Sequence, residues 1–277
     1  MRKILLKKAP VNARLTAFSV LIAIIFICAL VAKQFTVHDA YAVNMDSAFL
    51  PPCREYIFGT DNLGRCVFCR IAAGSLESIL SAVIVVAAVT LFGMAVGALS
   101  AFAGGAADSI MMKITLVFQA FPSFVLAIAI GAVLGSGTLN AMIALIAVYW
   151  TTYARLSRSM VLSYKNDNYI KAAKLYGAKG TSLLAKYIMP NTAGTMAVTA
   201  AQDVGNVILS MSALSFIGLG AQRPTAQWGA VMNEANAYFQ TAPWIIMFNG
   251  AALFFTVTIF NIFGDSLRDR LDSKHKS

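Results

Sequence analysis

The chain has 277 residues, of which 58% are hydrophobic and only 12% charged, with a formal net charge of +10. Soluble domains carry about 25% charged residues, so the composition points into a membrane and away from a water-soluble enzyme or binding module. The basic excess is sorted along the chain, which removes nucleic acid as its reason. Of the 22 Lys and Arg, only Lys33, Arg54, Arg65, Arg70 and Arg223 fall on one side of the apolar runs. The others gather in 1–14, 103–113, 155–190 and the C-terminal tail, which the positive-inside rule places in the cytoplasm.

Taken in order, the uncharged runs predict six helices, near 15–32, 79–102, 114–134, 138–154, 192–217 and 243–263. A crossing needs about 20 apolar residues, and in lipid every backbone group must be satisfied within the segment. The alternation of a β-barrel is absent. The expected architecture is therefore an all-α membrane protein with six transmembrane helices. It comprises a cytoplasmic tail (1–14), a first span (15–32), an extracellular loop (33–77), a five-helix core (78–264) containing a cytoplasmic loop (155–190), and a second cytoplasmic tail (265–277). The first run, with its basic start, also fits a cleaved signal peptide. Its 18 uncharged residues exceed the roughly 7–15 of a signal-peptide core, which favours a retained helix.

Within this frame the polar residues stand out. Gly59, Gly64 and mixed charge give the outer segment the look of a folded loop. Cys66 and Cys69 form a Cys-x-x-Cys near Cys53, compatible with a redox pair, a metal clip, a disulfide or simply small side chains; both are expected to react with impermeant thiol reagents, at least after reduction. Gly93 and Gly97 have the spacing of a helix-packing pair. Gln119 and Pro122 interrupt the third helix. In the 155–190 loop, Asn166, Asp167 and Asn168 are capping types that predict a short helix over 169–176, with Gly177 as its left-handed stop. Thr181 or Ser182 then starts a second helix that ends before Pro190. Ala172 and Ala173 leave a low ridge for a partner to approach; the plainer reading is a basic face on lipid headgroups. Asp203 is the ionisable residue inside a predicted helix, with Gln202 beside it and Asn206 one turn on. Such an acid faces a polar cavity or fixes helix packing through hydrogen bonds. Glycines at 218 and 220 allow close approach, and Trp228 suits a membrane–water boundary.

Several of these blocks resemble one family. Lys171-Ala172-Ala173, Gly177 and Met189-Pro190 resemble the EAA loop of ABC importer permeases, with Lys171 in the place of the usual Glu and Met189 in that of Leu. The run Phe58-Gly-Thr-Asp-Asn-Leu-Gly-Arg65 resembles the outer block of permeases of the peptide/nickel importer family. Leu214-Ser-Phe-Ile-Gly-Leu-Gly220 with Pro224 and Trp228-Gly229, and Asn261-Ile-Phe-Gly-Asp-Ser-Leu-Arg-Asp269, are similar to further blocks of its C-type subunit. Cys66 and Cys69 depart from that pattern, standing where Asp and Ser are usual.

The resemblance implies a type I permease fold in the bacterial plasma membrane, both termini cytoplasmic, surrounded by lipid. It implies a homologous second permease, two ATP-binding subunits and an extracellular solute-binding protein as partners. Lys171, Ala172, Ala173, Gly177 and Pro190 would then couple to the ATPase, and Gln119, Gln202, Asp203 and Asn206 would border the translocation pathway. The cargo would be nickel, a metal chelate or small peptides, with the acid at 203 closer to the nickel branch. No Gly-x4-Gly-Lys-Ser/Thr run is present, so ATP hydrolysis is assigned to separate subunits and the chain is read as a non-enzyme without cofactor or resident metal. His38 and His275 are the only histidines, and no catalytic set accompanies them. The rival reading is a stand-alone transporter or channel driven by an ion gradient through Asp203; the inverted repeats that would favour it are not seen.

Overall fold

The computed structural model describes residues 11–35, 38–178 and 180–274, so most of the tail at 1–14, together with Lys179 and His275, lies outside the described residues. In chain order the helices are α1 (Val11–Phe35), α2 (Val67–Ala103), α3 (Gly105–Gln119), α4 (Ser123–Leu134), α5 (Thr138–Tyr164), α6 (Asn168–Leu175), α7 (Gly180–Leu183), α8 (Met189–Phe216), α9 (Trp228–Ala235) and α10 (Pro243–Lys274). Among the described residues there is no strand, only an isolated bridge between Thr60 and Cys66. Every predicted helix is present, but the ends differ. α2 begins twelve positions before 79, and α5 runs ten past 154. Helix ends follow capping and hydrogen bonding rather than the loss of hydrophobicity: Cys66 caps α2, its Sγ accepting from the Cys69 N–H.

The third run is two helices. α3 and α4 meet at 87° across Ala120-Phe121-Pro122; the proline supplies no N–H and disfavours helix at its predecessor. By length and apolarity, α2 and α10 are long enough to cross a membrane, and α3 with α4 count as a third crossing if the bent pair is one span. α2 and α10 expose Leu91, Phe92, Leu99, Phe254 and Phe255, which suits hydrocarbon.

The core forms where α2 lies against α5 and α8, with α10 behind α8 and α1 against α10. Gly93 and Gly97 make the α2–α5 approach: a Cβ on Gly97 would stand 2.0 Å from the Ala154 carbonyl oxygen. The expected packing role of this pair is what the structure shows. Trp228, expected at a boundary, is buried; its ring N–H donates to the Ile71 carbonyl at 3.0 Å.

The outer segment is folded, as its glycines predict. Asp61 accepts from the backbone N–H groups of Leu63 and Arg65, both at 2.9 Å, closing a turn. Arg65 Nε donates to the same carboxylate at 2.7 Å, and its Nη2 reaches Glu234 of α9 at 2.6 Å. Arg70 stands 3.6 Å from Asp61 and 3.5 Å from Glu234. This four-charge cluster, at most 6% exposed, ties the outer loop, α2 and α9 together. Gly64 (φ +70°) is required beside it, since a Cβ would lie 1.7 Å from the Asn44 carbonyl oxygen.

Cys66 and Cys69 are free thiols, buried against Ala40 and Tyr56, whereas Cys53 is exposed. The expectation of easy access from outside fails for the pair, because it packs into the loop's own core. Burial first, then the hydrogen bond with Cys69, pushes the Cys66 thiol up to about 12, the signature of an unreactive structural thiol. Among the described residues no group of three His, Cys, Asp or Glu side chains gathers in metal-binding geometry.

Candidate functional site

Two places combine exposed polar chemistry with a defined scaffold. The first lies between α5, α8 and the bend ahead of α4. Asp203 accepts from the Tyr153 hydroxyl at 2.8 Å and from the Asn206 amide at 3.4 Å. The half-buried carboxylate thus has the polar neighbours that an acid without a basic partner in its own helix needs. Around it Ser123, Tyr149, Thr152, Tyr153 and Asn206 line a cleft of about 270 Å³. A wider cleft of about 520 Å³ adjoins it through the shared Ser123 and Thr152, and is lined further by Gln119, Arg155, Leu156 and Ser159. Together they make one open groove. Thr152, Arg155 and Ser159 share a face of α5 by helical spacing, and all three are exposed.

Three of the four expected pathway residues meet here. Asp203 and Asn206 lie at one end, and Gln119, 3.4 Å from the Thr151 hydroxyl, at the other. Gln202 does not join them. It points to the adjacent face of α8, where its amide donates to Asp265 of α10 at 2.9 Å and Gly264 packs against it. One position along a helix turns a side chain by about 100°, so neighbours in sequence serve different walls. Gln202 instead borders a separate cleft of about 340 Å³ with Asn191, Thr195 and Arg268.

Sequence reasoning passed over Arg155 and Tyr153. Arg155 looks like one more basic loop residue until α5 is seen to continue through it to Tyr164. Its neighbour Arg158 behaves differently: it clasps Asp108 of α3 through Nε at 2.7 Å and Nη2 at 2.6 Å, with Ser100 of α2 on the same carboxylate. Arg155 has no ion-pair partner among the described residues. The signal that finds the groove is the exposed polar set at 152, 155 and 159, which shares one face of α5.

The second place is the 155–190 segment. α6 covers Asn168–Leu175 and Gly177 (φ +89°) ends it, close to expectation. Ile170 and Ala173 turn inward, against Ala98, Ala101, Val161 and Ile188. Lys171, Ala172 and Gly177 face out. Of the two alanines, then, only Ala172 presents a surface; Ala173 is small because α6 packs on it. The tip of α6 exposes Leu175 by 89% and Tyr176 by 93%, large side chains that the core does not use. Pro190 does not end a helix. The chain runs from α7 through a π-helical turn at Leu184–Ile188 into α8, with the exposed Pro190 in the first turn of α8. A wider turn just before the proline accommodates its missing N–H and ring.

With this geometry in place, residues 90–277 match the family described as binding-protein-dependent transport system inner membrane component. The chain is 37% identical over 270 residues to the probable D,D-dipeptide transport system permease protein of Escherichia coli, covering 98% of this chain and 90% of that one. It is 33% identical over 253 residues to the nickel transport system permease protein of Escherichia coli, covering 91% of each. To the oligopeptide transport system permease protein of Bacillus subtilis it is 36% identical over 255 residues, 92% of this chain and 84% of that one. The chain belongs to the family of binding-protein-dependent transport system inner membrane components and is a membrane permease subunit.

Proposed function

We propose that the chain forms half of the translocation pore of an ATP-driven importer for small peptides or nickel, crossing the bacterial plasma membrane six times with both termini cytoplasmic. It pairs with a homologous permease, draws energy from two ATP-binding subunits, and receives cargo from an extracellular solute-binding protein. α1, α5 and α8 add crossings to α2, the bent α3–α4 pair and α10. α5 and α8 fall short of an apolar span because their polar faces line the groove, and that groove, bordered by Gln119, Asp203 and Asn206, is part of the pathway.

The observation that carries this reading is the tip of α6. A basic segment presents Leu175 and Tyr176 almost bare to solvent, beside Lys171, Ala172 and Gly177, while its inner face packs against the ends of α2, α5 and the π-helical turn. Exposed large side chains on a short, well-anchored helix have the character of a protein-binding anchor. Force applied there passes to α8 through the turn that carries Pro190. The permease itself does no chemistry; alternating access follows from the movement of α8 against α5. A stand-alone transporter has no use for such a tip.

The test is ATP-coupled uptake in proteoliposomes holding the whole importer. Tyr176→Asp and Leu175→Asp, which disturb no buried contact, should leave the complement of subunits in the membrane yet cut uptake by about tenfold or more, the scale of an interface anchor. Unchanged uptake in both variants would remove the coupling assignment.

A further inference from the structure

We infer that Asp108 is a positioning residue for transport: it makes α3 follow the two helices on which α6 is seated, so that the groove wall at Gln119 and Ser123 moves when the coupling segment moves. The inference rests on the permease reading above. It starts from how little else holds α3. Of its fifteen residues only Thr115 is buried, and Ile110, Leu116 and Val117 are exposed. Met111 and Phe118 touch the core, Phe118 edge-on to Trp150 with ring centroids 6.1 Å apart; apolar contact is non-directional and permits sliding. The link to α2 does not fix α3 either, because a Cβ on Gly104 or Gly105 would meet nothing within 4 Å. Among the described residues, side chains of α3 hydrogen-bond to other helices at two points, Asp108 near its start and Gln119 at its end. The second is long, at 3.4 Å from the Thr151 hydroxyl. The first is a clasp.

Arg158 presents one edge of its guanidinium to the carboxylate, Nε to Oδ1 at 2.7 Å and Nη2 to Oδ2 at 2.6 Å, and the Ser100 hydroxyl donates to Oδ1 at 2.8 Å. Two parallel bonds of this kind fix orientation as well as distance. A carboxylate in the first turn of a helix is also favoured by the helix dipole. The clasp is more than local because of where its partners sit. Ser100 lies between Ala98 and Ala101 of α2, and Arg158 lies one turn before Val161 of α5. Those three apolar residues form the seat of α6, against Ile170, Ala173 and Ile188. Just beneath, the Ser157 hydroxyl of α5 donates to the Met94 carbonyl of α2 at 2.9 Å, so the seat is a single packed unit. A displacement of α6 therefore reaches α3 through Asp108. Eleven residues on, about 16 Å at the rise of an α-helix, Gln119 stands in the groove wall, and Ser123 follows past the bend. Chains of contacts of this kind carry coupling between distant sites. The outer cluster also ties segments together, but this pair ties a lightly packed helix to the part that moves.

The test uses the complete importer with its solute-binding protein in proteoliposomes, following uptake of Ala-Ala and of Ni²⁺ alongside ATP hydrolysis. The quantity read is probe moved per ATP hydrolysed. Asp108→Asn keeps the shape and removes the charge at a partly exposed pair. It should leave subunit yield and ATP hydrolysis at the wild-type level and lower the ratio about fivefold, the scale of coupling through such a network. Arg158→Gln should do the same, and the double variant should lose no more than either single one, because both remove one interaction. A residue that only adds stability lowers uptake and hydrolysis together, in proportion to the complexes that survive, and that result would overturn the proposal. So would an unchanged ratio in both single variants, or losses that multiply in the double. If Asp108→Asn does not assemble, Arg158→Lys keeps the charge and loses the fork; its ratio should still fall, and a wild-type ratio, or failure of this variant to assemble as well, overturns the assignment. The permease reading fails separately, if the wild-type importer accumulates neither probe with ATP.

Discussion

The outer cluster and the inner groove are made from the same residue types and do opposite work. Outside, Asp61 and Glu234 face Arg65 and Arg70 at 2.6–3.6 Å, and all four side chains are nearly or fully buried. Inside, Asp203 faces neutral donors and Arg155 faces open space. A buried charge is tolerable only when paired, so the outer four compensate one another and hold three segments of chain together. The groove keeps its charges apart and uncompensated, which costs stability and leaves them available. Paired charges on this scaffold mark architecture; under the proposed function the separated ones serve transport.

The largest effect that tests this comparison is loss of a charge from the outer cluster. Glu234 serves Arg65 and Arg70, with Arg223 3.8 Å away at the surface. Glu234→Ala leaves the two buried guanidinium groups with Asp61 alone between them, and removing one partner of a buried pair costs about 3–5 kcal/mol. The purified subunit should show a clear fall in thermal stability or lose membrane yield outright. Asp203→Asn, which keeps the shape and both neighbours, should shift stability by no more than about 0.5 kcal/mol while changing transport. If the two variants lose stability equally, the distinction between architectural and functional charge collapses.

A smaller effect is expected where α2 meets α5, the close contact that fixes where α5 lies. Gly97→Ala puts a methyl 2.0 Å from the Ala154 carbonyl oxygen. Backbone cannot swing aside as a long side chain can, so the helices must part, at a cost of about 1–3 kcal/mol. α5 then moves with Tyr153 and Arg155, and uptake should fall together with stability. Gly104→Ala, at a glycine with nothing within 4 Å, is strained only by its φ of +68° and should cost about 1 kcal/mol with transport retained. Equal transport loss in both would show that the α2–α5 distance does not set the groove.

How far this contrast was legible in the sequence depends on what each residue answers to. Asp203 was visible because a lone acid in a long uncharged run is costly enough to need a polar cavity or hydrogen-bonding neighbours. Arg155 was not, because the rule that counts Lys and Arg for topology absorbs it without asking whether the helix goes on. The helices were visible from their charge-free runs, but α2 begins at Val67 because Cys66 caps it there and because Arg70 is paired. That pairing is long-range: Glu234 lies 169 positions from Arg65, and no local pattern announces it. α6 and Gly177 were legible from capping residues, which act locally. Pro190 was misread for the same reason, since a π-helical turn that reconciles proline with a continuing helix leaves no mark in residue type. The bend at Pro122 was half legible: the proline marks the break, and only packing fixes its angle.

The smallest effect concerns the thiols, and it separates architecture from function without altering stability. Cys66 caps α2 with its Sγ 3.3 Å from the Cys69 N–H, sealed beneath Tyr56. A thiol held at about 12 is almost wholly protonated at neutral pH, and the thiolate is the reactive form. In intact cells an impermeant maleimide should therefore label exposed Cys53 and spare Cys66 and Cys69. Raising the pH to about 9 ionises an ordinary thiol, whose reference value is 9.0, but not this one. Labelling of Cys66 in the folded protein should thus stay flat over that range and appear at once on unfolding in detergent. The sign follows from burial, which disfavours the charged form. Rapid labelling of Cys66 at pH 7 in the native protein would mean that the outer loop opens readily, and the buried charge cluster beside it would then be no fixed frame for the groove below.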